Sequence, residues 1–318
     1  MLNMKTKSFN NMLSNVSKLG TLQFRLLKEE VEKKVKKKKV SNILETPLDE
    51  LVCPHCNSIK FIKWGKRNDL QRYKCKLCQK TFNSLTKTPL ARLRRKGHWL
   101  DYAECLKKGL TIREAAVVCQ IHRNTSFRWR HRFINNLKFI KANELNGIVE
   151  MNDIAFRESF KGDKSKSLKK SQKRKQIFVL FNIDRNNNIY DMTNLGFDKT
   201  VLNKELLNKI KQDSILISNL NTTYNNFTQS NNLEHITLDV MNKDFVNLRK
   251  SSNYKLLFYK WINDHFRGVA TKYLENYVSW YRSLKEFRSG IHPLTLLYRA
   301  KNKEKYRHQP KKVIQYVL

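Results

Sequence analysis

The pattern of apolar and polar positions divides the chain into stretches of different character. Up to residue 50, apolar positions are sparse, and Leu19, Leu22, Phe24 and Leu27 form a loosely amphipathic stretch. The run Glu32-Lys33-Lys34-Val35-Lys36-Lys37-Lys38-Lys39 is expected to break that stretch and act as a solvated linker in a basic tail of residues 1–50. A phosphate-binding arm or a nuclear-import signal are other uses of such a run. Residues 51–84 carry two cysteine pairs, and residues 90–140 follow a helical period. From 147 to 240 the pattern changes to short apolar runs between polar turns. It predicts strands at 148–156, 177–184, 189–195, 215–218 and 235–238, with helices at 202–210 and 222–228 between them. Residues 254–287 read as a last helical region rich in Trp261, Phe266, Tyr273, Tyr277 and Trp280, and residues 288–318 as a basic tail. The expected class is therefore a multi-domain α/β protein. The longest apolar stretch, 177–181, is strand-sized and far short of the ~18 residues that cross a bilayer.

Within 90–140 the local signals are more specific. Thr111 stands as an N-cap, and Glu114 three residues later completes a capping box. Ala115, Ala116 and Val117 give a compact face, Cys119-Gln120-Ile121 a turn, and His122-Arg123-Asn124-Thr125 the start of a second helix. Its expected inner face is Ile121, Phe127 and Trp129 or Phe133. This is the pattern of a helix-turn-helix, whose second helix enters the major groove. Arg123, Asn124, Thr125 and Ser126 are types that hydrogen-bond base edges, while Arg128, Arg130, His131 and Arg132 suit phosphates. An ordinary basic helical hairpin is the plainer alternative.

Charge widens the nucleic-acid reading to the whole chain. Lys and Arg number 64 against 27 Asp and Glu, a formal net charge of +37. Such a surface attracts polyanions, and double-stranded DNA is the partner expected here, with a membrane surface the weaker alternative. Eight basic residues crowd one loop: Lys161, Lys164, Lys166, Lys169, Lys170, Lys173, Arg174 and Lys175. Residues 1–7 lack the apolar core of a secretory signal, so a cytoplasmic location is expected, nucleoid-associated in a bacterium.

Four of the six cysteines fall into two C-x-x-C pairs, Cys53/Cys56 and Cys75/Cys78, with eighteen residues between the pairs. Two such knuckles at this separation predict a zinc ribbon with a closed structural Zn²⁺ site. His55 lies inside the first knuckle and reads as exposed, and Cys105 and Cys119 as small buried apolar groups.

The order of cysteine knuckles, helix-turn-helix and acidic strand resembles bacterial zinc-ribbon insertion-sequence transposases of the DDE type, relatives of the Merlin elements. The matching segments are Val149-Glu150-Met151-Asn152-Asp153, Arg157-Glu158-Ser159-Phe160-Lys161-Gly162, Ser214-Ile215-Leu216 and Phe266-Arg267-Gly268-Val269-Ala270-Thr271-Lys272-Tyr273-Leu274. The last, continued by Asn276-Tyr277 and Trp280, is the most specific, and the resemblance covers roughly residues 50–285. It implies a ribonuclease-H-like domain at 147–287, a mixed sheet with flanking helices that moves mobile DNA by two-metal strand transfer at the element's terminal repeats.

The family's first aspartate position matches Asn152, with Asp153 beside it, and the second matches Asn219. The third falls near 250–253, where no acid stands. An amide keeps the shape of an aspartate and loses its charge, so Mg²⁺ belongs here only if catalysis survives. Asp153 should face away from Asn152, since neighbouring residues on a strand point to opposite faces, whereas Glu150 should share its face. Transposition is therefore expected to be impaired. The alternative is an inactive DNA-binding protein or regulator of transposase descent, and a zinc-ribbon RNA binder is a third reading. A homo-oligomer on DNA is compatible with the first two.

Overall fold

A computed structural model describes residues 6–68, 70–162, 174–238, 249–286 and 291–301. Lys164, Lys166, Lys169, Lys170 and Lys173 of the basic loop lie outside the described residues, as does the tail from 302 onward. The chain divides into two compact units, residues 1–87 with 91–104 and residues 88–90 with 105–318.

The first unit opens with helices α1 (Thr6–Val16) and α2 (Thr21–Leu44). The lysine run does not break α2, contrary to expectation, and 32–39 is helical throughout. Lysine is a good helix former, and the glutamates among the lysines form short-range pairs such as Lys33–Glu30 at 3.7 Å. Val40 and Leu44 are fully buried at the C-terminal end of α2, and the Lys36 ammonium meets Asp101 at 2.7 Å. Strands β1 (Phe61–Arg67), β2 (Leu70–Cys75) and β3 (Thr81–Phe82) form a small antiparallel sheet. Leu51, Tyr73 and Phe82 make its core. Helix α3 (Trp99–Lys107) follows, with Trp99 and Tyr102 fully buried.

In the second unit, α4 (Ile112–Val118) and α5 (Arg123–Ile134) form a two-helix pair. The predicted capping box is present, with Thr111 N–H donating to Glu114 Oε2 at 2.7 Å and Glu114 N–H to Thr111 Oγ1 at 3.3 Å. The turn passes through Gln120 at φ +49°, and Ser126 Oγ donates to the Ile112 carbonyl at 2.8 Å, tying the helices together.

Next come β4 (Ile148–Arg157), β5 (Gln176–Asp184), β6 (Ile189–Asn194), α6 (Lys199–Glu205), β7 (Ile215–Asn219), α7 (Thr222–Ser230) and β8 (Glu234–Leu238). Helices α8 (Arg249–Lys260), α9 (Thr271–Lys285) and α10 (Pro293–Lys301) complete the unit. The sheet is mixed, in the order β6-β5-β4-β7-β8, with β4 antiparallel to β5 and parallel to β7. Alternation along the strands gives it two faces. Val149, Met151, Leu180, Tyr190, Met192 and Leu216 pack against Leu202 of α6, Leu206 just after it, and Tyr224 and Phe227 of α7. On the other face Phe181 meets Tyr254 and Phe258 of α8, and Asp191 pairs with Arg282 of α9.

The segment expected as one helical domain at 90–140 is divided: residues 91–104 belong to the first unit, while 105–140 share the second unit with the sheet. His131 of α5 stacks on Tyr273 at 3.7 Å between ring centroids, and Arg282 donates to the Leu137 carbonyl at 2.8 Å. The basic tail expected from 288 instead contains α10, whose Leu296, Leu297 and Ala300 are fully buried. No helix among the described residues is long and apolar enough to cross a membrane.

Candidate functional site

The two cysteine knuckles are built alike. Cys53 N–H donates to the Ser58 carbonyl at 2.9 Å, and Cys75 N–H to the Lys80 carbonyl at 3.0 Å. Each knuckle leaves through a left-handed residue, Asn57 and Gln79, both at φ +58°. The result brings all four sulfurs within 4.8 Å of one another. Cys53 lies 3.6 Å from Cys78, and Cys56 lies 3.6 Å from Cys75. Zn–S bonds of about 2.3 Å in a tetrahedron set sulfur separations near 3.8 Å, so the four thiolates could hold one structural Zn²⁺. The Cys78 backbone N–H, with that of Leu77, holds the Cys75 thiol down to about 6 against the opposing effect of burial. His55 is exposed.

On α5, Arg123, Asn124, Arg128 and Arg132 are exposed and Thr125 is partly buried. Arg132 Nη1 also donates to the Pro89 carbonyl at 3.0 Å. Arg130, expected on the same surface, is fully buried. Its guanidinium bonds the Leu110 carbonyl and lies 4.8 Å from the Trp280 ring centre and 5.5 Å from that of Phe266. The helical period explains the correction: Ser126, Trp129, Arg130 and Phe133 share the inward stripe. Phe127, expected inside, is 43% exposed and rests on Tyr273 and His131. His131 is likewise turned to packing, and burial, with Arg130 and Lys272 nearby, pushes its imidazole down to about 4.

Glu150, Asn152 and Asn219 lie on one face of the sheet. Glu150 pairs with Ile217 across the parallel β4–β7 ladder, and Asn152 and Asn219 are each two residues further on. Glu150 is fully buried. Its Oε2 accepts from Ser251 N–H at 2.8 Å, and its Oε1 meets Arg185 at 2.8 Å. Both oxygens thus bind the first turn of α8 and an arginine. Asn152 is also buried, and its Nδ2 donates to Ser252 Oγ at 3.1 Å. Its Oδ1 accepts the Lys255 ammonium at 2.7 Å, so a cation stands on this amide. Burial lowers Lys255 from the ordinary lysine value, while Asp153 raises it. Asp153 faces the other way, accepts from Tyr224 OH at 3.2 Å, and is raised by burial. Asn219 Oδ1 is buried with no hydrogen-bond partner among the described residues.

Lys255 and Arg185 are the residues that sequence reasoning missed. The only signal was the spacing of Ser251 and Lys255, one helical turn apart and therefore on one face of α8.

No family model matches the chain, and no curated protein matches it. Among solved structures it is similar, at 13% identity and a TM-score of 0.29, to a chain of the cryo-EM structure of the simian T-cell lymphotropic virus intasome in complex with PP2A regulatory subunit B56 gamma. The likeness covers 45% of this chain and 50% of that one, so it spans about half the length of the matched chain. A likeness of that size fixes neither fold nor function.

Proposed function

We propose that this chain is a duplex-DNA-binding protein of insertion-sequence transposase descent whose α/β domain no longer carries out strand transfer. The observation that carries the second half is Lys255 Nζ at 2.7 Å from Asn152 Oδ1. Two-metal chemistry needs carboxylates to offset the repulsion between ions about 3.5–4 Å apart. Here one position holds an amide capped by an ammonium, another holds Asn219, and the buried Glu150 is engaged by Arg185 and Ser251 N–H. The mixed sheet flanked by helices agrees with the ribonuclease-H type that the sequence resemblance implies.

DNA binding is supported by the net charge of +37 and by the capped helix pair. In this reading α4 and α5 are the helix-turn-helix. Arg123 and Asn124 read bases, Arg128 and Arg132 grip phosphates, Thr125 supports the first turn, and Cys53, Cys56, Cys75 and Cys78 form a zinc ribbon. The test is binding to a labelled duplex across a salt series, alongside plasmid cleavage and joining with Mg²⁺ or Mn²⁺. The expected result is affinity that falls steeply with salt and no cleaved or joined product. Absence of duplex binding at low salt would refute the first half, and Mg²⁺-dependent joining by the unmodified chain the second.

A further inference from the structure

Beside the small cysteine-knuckle sheet lies a cavity of about 510 Å³, bounded by the ends of β1 and β2, the turn after β3 and residues 92–96. Arg67, Arg72, Arg92 and Arg94 line it, and no carboxylate does so among the described residues. Lys96 also lines it, with its ammonium on the Asn68 carbonyl at 2.7 Å. The opposite rim is a polar turn in which Thr86 Oγ1 accepts from Asn83 N–H at 2.9 Å and Asn83 Oδ1 accepts from Leu85 N–H at 3.1 Å. Arg92 and the nearby Arg95 are both left-handed, at φ +61° and +55°. Non-glycine residues seldom adopt this conformation, yet the segment places arginines there.

Four guanidinium groups around one concave space repel each other, and an anion among them relieves that repulsion. Guanidinium donors are planar forks that match phosphate oxygens two at a time. The volume lies in the range of about 300–1,000 Å³ that takes a ligand of many atoms rather than a single ion. We propose that this cavity is a second DNA contact, holding successive phosphodiester groups of the duplex backbone. The proposal rests on the DNA-binding reading above and adds to it a site apart from α5.

The test uses the full chain and a labelled duplex over a salt series. Arg92→Ala with Arg94→Ala is compared with a control of equal charge change, Lys18→Ala with Lys28→Ala, both exposed and outside the lysine run. The arginine pair is expected to weaken binding at least tenfold. It should also flatten the slope of log affinity against log salt by about 1–2, since each lost phosphate contact removes about 0.9. The control should change affinity less than threefold. Parental affinity and slope in the arginine variant, with metal content and circular dichroism unchanged, would overturn the proposal. So would an equal loss in the control, which would mean diffuse charge rather than a site. A parent chain that does not bind duplex would instead remove the DNA-binding reading itself, and this proposal with it.

Discussion

Replacing Asn152 and Asn219 by aspartate should not by itself create a divalent-metal site, because Lys255 remains. The Lys255 ammonium is 2.7 Å from the oxygen that would become a carboxylate oxygen. A Mg²⁺ ion bonded to that oxygen at about 2.1 Å would stand within about 4 Å of the ammonium. Two unit charges at that distance interact by about 4 kcal/mol at an effective dielectric of 20, and a divalent ion doubles the figure to about 8 kcal/mol. Lys255 is only partly buried, so solvent screening and movement of its side chain take up part of this. Retaining half leaves about 4 kcal/mol, or roughly three decades in dissociation constant. The assay is calorimetric Mn²⁺ and Mg²⁺ titration of N152D/N219D and of N152D/N219D/K255Q, both loaded with zinc. The triple variant should bind at least a hundredfold more tightly than the double. Equal affinities would show that the lysine does not guard the site and would refute the electrostatic reasoning.

Metal analysis should find one Zn²⁺ per chain, and Cys75→Ser should lose it and unfold the knuckle sheet locally, as amide hydrogen exchange would show. Arg130→Ala should lower stability by about 3 kcal/mol in denaturant unfolding, from the lost charged hydrogen bond and buried cation–π contacts. Arg128→Ala should leave stability unchanged and weaken duplex binding on every sequence. His131 is held near 4 in the fold against about 6.5 when unfolded, so it contributes stability above pH 6.5 that is lost as pH falls toward 4. Denaturant midpoints should fall over that window by an amount corresponding to no more than about 3 kcal/mol, and His131→Phe should remove this component.

Features set by neighbours in sequence were legible before the structure. Predicted strands differ from the observed ones by a residue or so at their ends, because apolar runs between polar turns leave little freedom in where a strand can lie. The knuckles and the Thr111–Glu114 box are defined within a few residues, so their spacing carries the geometry. Features set by distant packing were not legible. Arg130 looks like any other arginine of α5 until Trp280 and Phe266 are folded against it. The identity of the group on Asn152 depends on how α8 docks on β4, which no local pattern encodes. The lysine run misled because its charge suggested a linker, while lysine's helix propensity and nearby glutamates favour a helix.

The burial of Arg130 also changes what kind of part the helix pair is. A helix pair that folds by itself can be cut out, swapped between proteins or left swinging on a tether. This one cannot, since its inner surface is completed by rings from a helix far along the chain. Proteolysis should not release it intact, and grafting residues 110–134 elsewhere would strip the Arg130 guanidinium of Trp280 and Phe266 and the His131 ring of Tyr273. The same attachment fixes the direction in which α5 points, so the position of its outer face is set by the sheet domain's own dimensions rather than by a linker's length.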